Sequence, residues 1–235
     1  MLSERMQLLA ELKAILPESA IVSEQEMLHA YECDALSAYK QLPLLLVMPD
    51  SVAQVQAVLR LCSRMQVPVV ARGAGTGLSG GALPLVDGVL LSLARFNRIL
   101  DVDPRACTAR VQPGVPNLAI SKAARQYGLY YAPDPSSQVA CSIGGNVAEN
   151  SGGVHCLKYG LTVHNILGLR AWTIDGQLLE IGSESLDAPG YDLLALLTGS
   201  EGMLAVITEV TVKLLPRPER AQVVLAAFDD VAKAG

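Results

Sequence analysis

No stretch of this chain approaches the ~20 consecutive apolar residues needed to cross a bilayer, although its mean hydropathy is +0.34. The apolar runs are short. Leu44-Leu45-Leu46-Val47-Met48 is closed by proline on both sides and reads as a buried strand. A cationic-then-apolar leader is also missing, which points to a cytosolic protein. So is any basic block: 18 Lys and Arg stand against 23 Asp and Glu, for a net charge of −5. That argues against a nucleic-acid surface, and an anionic ligand would be held by oriented backbone dipoles more than by lysines. No CxxC occurs. Five scattered cysteines (Cys33, Cys62, Cys107, Cys141, Cys156) suggest neither a zinc site nor a disulfide framework nor an iron–sulfur centre; buried free thiols are the expectation. Histidine is scarce as well, with only His29, His155 and His164. His155, Cys156 and His164 lack a third and fourth metal ligand at sensible spacing, so no metal is expected.

Glycine, by contrast, is concentrated. Arg72-Gly73-Ala74-Gly75-Thr76-Gly77-Leu78-Ser79-Gly80-Gly81 holds five glycines within nine residues, directly after Val67-Pro68-Val69-Val70. Each glycine surrenders more backbone freedom on folding than any other residue. Such density fits close approach of backbone to a ligand, since successive free N–H groups form an anion-binding nest. A flexible surface turn is the plainer reading of the loop taken alone. With 51% apolar and 17% charged residues among 235, there is ample material for one large domain or two modest lobes.

Along the chain, Ser3 to Leu16 carries leucines at helical spacing up to Pro17. Ser23-Glu24-Gln25-Glu26 reads as a capping box opening a second helix. Leu44 to Met48, a helix capped at Ser51 with the stripe Val52, Val55, Val58, Leu59 and Cys62, and Val69 to Ala71 form a βαβ unit with a short parallel pairing. Val89 to Leu93 is a strand. Ile99 to Val102 and Thr108 to Val111 form a hairpin, and Asn117 to Tyr127 is helical with Gly128 as its stop. Residues 132–160 read as loop-rich, crowded with Gly, Asn, Ser and Pro. Ile166 to Ile174 and Gln177 to Ile181 form a second hairpin around Asp175-Gly176, with Trp172 as packing. Tyr191 to Leu197 is a short helix; Leu204 to Leu215 and Gln222 to Phe228 are strands. The sum is an α/β beginning followed by a mainly antiparallel α+β section.

Gly75-x-Gly77-x-x-Gly80 satisfies the dinucleotide fingerprint, but that motif must open a helix. Here Pro84 and Asp87-Gly88 follow, and both break helices. A P-loop fails too, because no Gly-Lys-Ser/Thr is present. What remains is a loop that wraps an anion with its own amides. Three further segments accompany it: Tyr131-Ala132-Pro133-Asp134-Pro135-Ser136-Ser137, Cys141 to Gly153 with Gly144-Gly145-Asn146 at its centre, and Thr198-Gly199-Ser200-Glu201-Gly202 leading into Val206-Ile207-Thr208-Glu209. Each alone reads as turn chemistry or capping.

In this order the four segments resemble the FAD-binding domain of the vanillyl-alcohol oxidase and p-cresol methylhydroxylase superfamily. More narrowly they are similar to FAD-linked subunits of the glycolate oxidase type and their D-lactate and D-2-hydroxyglutarate dehydrogenase relatives, over about Leu44 to Phe228. The resemblance implies an α+β fold of the p-cresol methylhydroxylase type, with a small α/β lobe and a larger, mainly antiparallel α+β lobe. It divides the chain into an N-terminal helical segment (1–43), a first FAD-binding lobe with the pyrophosphate loop (44–105), a second FAD-binding lobe (106–228) and the start of a cap domain (229–235).

It also implies site residues. Arg72, Gly73, Ala74, Gly75, Thr76 and Gly77, with Gly80 and Gly81 nearby, would wrap the pyrophosphate. Pro133, Asp134, Ser136, Ser137, Gly144, Gly145, Asn146 and Gly152 would line the phosphates and the flavin end. Glu201, Gly202 and Ile207 would lie toward the adenosine, with Ile207-Thr208 as an edge strand whose backbone reads adenine. His155 and Lys158-Tyr159 fall either near the flavin or in an ordinary surface loop. The implied reaction passes hydride from C2 of a 2-hydroxy acid to flavin N5, with catalytic residues in the cap domain. The implied partners are other flavin and iron–sulfur oxidase subunits, and the implied place is the cytoplasm, peripheral to the inner membrane through those subunits. Alternatives from the same residues are a flavin-carrying subunit without its own substrate oxidation and a reductase of the UDP-N-acetylenolpyruvoylglucosamine type.

Members of the superfamily that bond FAD covalently from this loop place a histidine about four residues after the arginine; here Thr76 stands there. Noncovalent FAD is therefore expected. Acid denaturation should release all yellow colour into the supernatant, and flavin that stays with the polypeptide would contradict it.

Overall fold

The computed structural model describes residues 2–183, 190–220 and 222–235. Two sheets, each with its own core, carry the chain. The first is built around α1 (Leu2–Ile15), β1 (Ile21–Val22), α2 (Gln25–Leu28), β2 (Leu45–Val47), α3 (Val52–Met65), β3 (Val69–Arg72) and β4 (Val89–Ser92). Its strand order is β1-β2-β4-β3, with β2, β4 and β3 parallel and β1 antiparallel at the edge. Leu45, Val47, Val89 and Leu91 pack with Leu8, Leu12, Val55, Val58, Leu59 and Cys62 from α1 and α3. Leu46 and Leu90 point the other way, onto Val22 and Leu28. Covering on both faces is why these strands are apolar without alternation. Burial pushes the Cys62 thiol up to about 12, which leaves it an inert core group.

The second sheet has the order β5-β6-β10-β8-β9 and is antiparallel throughout. Its strands are β5 (Ile99–Asp103), β6 (Thr108–Val111), β8 (Ile166–Trp172), β9 (Leu178–Gly182) and β10 (Val206–Lys213). A short pair, β7 (Leu129–Tyr130) with β11 (Leu215–Pro216), sits beside it. One face buries Ala109, Val111, Leu169, Ala171, Val210 and Val212 against Ile120 of α4 (Asn117–Ala124), Ile143 and Val147 of α5 (Ile143–Glu149) and Leu197 of α7 (Leu193–Leu197). The opposite face is charged: Arg110 meets Glu209 at 3.7 Å and Arg170 meets Glu180 at 3.0 Å. That alternation is the mark of a sheet with one wet side. The remaining α-helices among the described residues, α6 (Cys156–Tyr159) and α8 (Val231–Ala234), are single turns.

The two cores meet in β10. Val206 belongs to the first core and the adjacent Ile207 to the second. Trp172 packs against the first core from β8, as its place on the hairpin suggested. Gln56 and Arg60 of α3 donate to the carbonyl of Gly176, in the β8–β9 turn, at 2.9 and 3.3 Å.

Several expectations are corrected. The βαβ unit forms, but β2 and β3 do not pair; β4 lies between them, parallel to both. The capping box at Ser23 does not form: α2 begins after Glu24 without a side-chain cap and lasts four residues. Ser51 likewise makes no side-chain cap, and Gln54 instead accepts from the Asp50 N–H at 2.9 Å. Within the loop-rich stretch 132–160 the sequence suggested no helix, yet Gly144, Gly145 and Asn146 lie inside α5, where burial of Ile143 and Val147 outweighs the glycines' poor helix propensity. Gln222–Phe228 is not a strand; these residues are exposed and unpaired. Ile207–Thr208 is not on an edge strand, because β10 is central, although β6 pairs with it only from Val210 onward. Not all free thiols are buried, as Cys156 is exposed. Among the described residues no helix is long and apolar enough to cross a membrane.

Central β4 should bear most of the first lobe's stability. Leu91→Ala is expected to cost about 2–5 kcal/mol, read by urea denaturation, with the second lobe's hairpins unchanged by hydrogen exchange.

Candidate functional site

The carboxyl end of β3 opens into the glycine loop, and residues 73–88 contain no regular element before β4. Gly75 (φ +68°) and Gly80 (φ +83°) take left-handed backbone that a side chain would strain. A Cβ at Gly75 would also fall 2.3 Å from the Arg72 guanidinium. Among the described residues, none accepts a hydrogen bond from the backbone N–H groups of residues 74–79. A run of free amides on a glycine-rich turn is an anion nest.

Facing this loop across a cleft of about 510 Å³ are α5 with the residues before it and the turn at Glu201-Gly202. The turn is docked on α5: the N–H groups of Gly199 and Glu201 donate to the carbonyls of Val147 and Ala148 at 2.8 and 2.9 Å. Glu201 itself is left-handed, at φ +53°. Ser79 donates to Glu149 at 2.7 Å, which ties the loop to the end of α5.

Arg72 begins the loop but does not present a free cation. Its guanidinium donates to the Cys33 carbonyl at 2.8 Å and lies 5.7 Å from the Tyr31 ring centre. Burial holds it below the usual arginine value, against the opposing pull of the Asp34 carboxylate. The N-terminal segment is held to the loop a second time, by the Ala35 N–H on the Gly77 carbonyl at 3.1 Å. Lysine is absent from the lining, so backbone donors must do the work expected of them.

Of the nineteen residues that the resemblance assigns to FAD binding, all but Gly80, Pro133, Asp134 and Gly152 line this one cleft, and Thr208 beside Ile207 does not. Gly80 instead faces the Leu36 side chain, and Gly152 lies under Leu161. Pro133 stands one layer back. Its carbonyl accepts from Asn117 at 2.9 Å, and Asn117 in turn accepts from the buried Asn146 at 2.9 Å. Asp134 accepts from His155 Nδ1 at 2.6 Å and from the His155 N–H at 3.2 Å. It also fills the space behind Gly153, where a Cβ would come within 2.5 Å of its backbone. His155, Lys158 and Tyr159 lie outside the lining, the ring of Tyr159 being 6.3 Å from that of Tyr130.

Among the lining residues that the sequence reading did not assign are Asp34, Pro113, Ser142 and Glu149. Ser142 and Glu149 fell inside a quoted glycine-rich segment, so closer reading could have found them. Asp34 and Pro113 carry no local signal.

The family model described as an FAD binding domain matches residues 43–182. The chain belongs to that family. FAD is its cofactor. The FAD domain is 63% identical to the glycolate oxidase subunit GlcD of Escherichia coli (strain K12) over 99% of this chain and 46% of that protein. It is 38% identical to a D-2-hydroxyglutarate dehydrogenase of Xanthomonas citri pv. viticola over 92% of this chain and 46% of that one. A solved structure of an alkyldihydroxyacetonephosphate synthase superposes with a TM-score of 0.81 at 26% identity, covering 92% of this chain and 44% of that chain. The chain thus spans about half the length of the relatives it matches.

The residues present fit FAD. The loop amides suit a diphosphate. The Ser142 hydroxyl is buried with no hydrogen-bond partner among the described residues, a donor on the second wall. A Cβ at Gly73 would lie 2.2 Å from that hydroxyl, and one at Gly144 would lie 2.5 Å from the Pro113 side chain, so both walls are as close as glycine allows. The volume lies in the roughly 300–1,000 Å³ range of ligand pockets.

Gly73→Ala should therefore destabilise the apo chain by about 1–3 kcal/mol through overpacking and weaken FAD binding about tenfold. Adding Ser142→Ala should restore stability, read by urea denaturation, without restoring affinity, read by flavin titration.

Proposed function

We propose that this chain is the FAD-binding part of a flavin-dependent 2-hydroxy-acid oxidoreductase of the glycolate oxidase type. The observation that carries the reading is the unpaired amide run of residues 74–79 facing a second wall of small residues across one cleft. The 63% identity to a glycolate oxidase subunit over nearly the whole chain supports the substrate class.

In this reading Gly73, Ala74, Gly75, Thr76 and Gly77 hold the diphosphate with their amides, and Arg72 braces the loop from behind through Cys33 and Tyr31. Ser142, Gly144 and Gly145, with Ser136 and Ser137, form the opposite wall, and Asn146 is locked through Asn117 to Pro133. Glu149 and Glu201 approach each other beside Gly81: a Cβ there would lie 2.8 Å from one carboxylate and 3.1 Å from the other. Acceptors of that kind suit sugar hydroxyls or an adenine amino group and repel phosphate. Pro133, Asp134, Gly152 and Gly80 support these walls and do not touch the ligand. When bound, FAD supplies the two-electron acceptor; the chain's own part is to hold it and exclude water from one side. Thr76, lacking a nucleophilic nitrogen, keeps the attachment noncovalent. The substrate is a small 2-hydroxy acid, the partners are further oxidase subunits, and the location is cytoplasmic, reaching the membrane only through those partners.

The purified 235-residue chain should show flavin absorption bands. A chain lengthened to that of the relatives should be bleached anaerobically by glycolate or D-lactate, while the 235-residue chain responds weakly. Colourless protein that takes up no added FAD would refute the binding. Failure of every 2-hydroxy acid to bleach the longer chain would leave a flavin carrier without this oxidation.

A further inference from the structure

Asp34 lies in the N-terminal segment, before the first parallel strand and remote in sequence from every glycine-rich stretch. It is 6% exposed and lines the cleft. One carboxylate oxygen accepts from the Leu36 N–H at 2.8 Å. The other, Oδ2, is shielded from solvent and has no hydrogen-bond partner among the described residues. A buried carboxylate oxygen without a donor is expensive, and native proteins rarely leave one so.

Arg72 is near enough to feel its charge, but the Arg72 N–H groups are directed to the carbonyls of Cys33 and, at 3.5 Å, Ala82. The arginine balances the charge of Asp34 without satisfying its oxygen. Nor is Asp34 loosely placed. The next residue, Ala35, donates to Gly77 in the loop, and Leu36 packs toward Gly80. The carboxylate is therefore fixed relative to the amide run.

We infer that Asp34 is a cofactor-contacting residue, its free oxygen accepting a hydrogen bond from a hydroxyl or N–H group of the bound flavin nucleotide. The inference rests on the FAD reading above. An ionised carboxylate is an acceptor only, and it repels a phosphate. Its partner is therefore a neutral donor flanking the diphosphate: a ribityl or ribose hydroxyl, a flavin ring N–H or an adenine amino group. In this way the N-terminal segment is part of the binding site and not merely a cover for the first sheet.

The test titrates apo protein with FAD, FMN and ADP, read by flavin fluorescence or calorimetry. Asp34→Asn keeps the shape and an acceptor for Leu36. It should weaken FAD roughly ten- to hundredfold, the loss expected for a hydrogen bond to a charged group. FMN or ADP should weaken by the same factor while the other holds, which says which half of the cofactor carries the donor. The apo unfolding midpoint should match that of the unaltered chain. Asp34→Ser, which can keep the turn to Leu36 but lacks the second oxygen, should give the same loss and serves if the asparagine variant does not fold. Unchanged FAD affinity in either folded variant overturns the inference, as does equal weakening of FMN and ADP. An unaltered chain that binds no FAD overturns the FAD reading itself, and the inference with it.

Discussion

Six consecutive backbone N–H groups, from Ala74 to Ser79, line a cleft and find no acceptor among the described residues. Folded chains pair nearly all such groups, so a loop of this kind persists only where something else holds its shape. Here the holding is done from outside the loop. Parallel pairing of β3 with β4 fixes its start. The Arg72 guanidinium, packed under Gly75, fixes its curvature. Ala35 and Glu149 then hold Gly77 and Ser79. Each restraint leaves the amides themselves free for an anion.

That arrangement needs two walls at a constant separation, and β10 supplies it. A strand that contributes Val206 to one core and Ile207 to the other cannot shift without disturbing both. Close-packed interiors transmit such strain. The bonds from Gln56 and Arg60 to Gly176 restrain the far side of the same junction. The cleft is thus a consequence of how two sheets are joined.

Much of this was legible beforehand. Gly73, Gly75 and Gly77 announce close backbone approach, and Pro84 with Asp87-Gly88 rules out a helix after them. The hairpins at Asp103 and Asp175-Gly176 follow from turn chemistry. Less legible was anything decided by a distant partner. The order of β2, β4 and β3 is set by which strands pair, and all three read alike as short apolar runs. The helix at Ile143–Glu149 was hidden by its glycines because its stability comes from Ile143 and Val147 in the second core.

The sequence by itself determined the local chemistry: a glycine-dense loop without lysine, a continuation at Pro84 and Asp87-Gly88 that breaks any helix, and, through the resemblance it carries, Thr76 where a covalent attachment would need histidine. Tertiary structure alone decided the membership of the site. Asp34 and Pro113 reach the cleft because strand pairing and the Arg72–Cys33 bond bring them there, while Pro133 and Asp134 are turned away by Asn117 and His155. Local propensity acts over a few residues, whereas a cleft between two lobes is set by contacts between residues 39 to 120 positions apart.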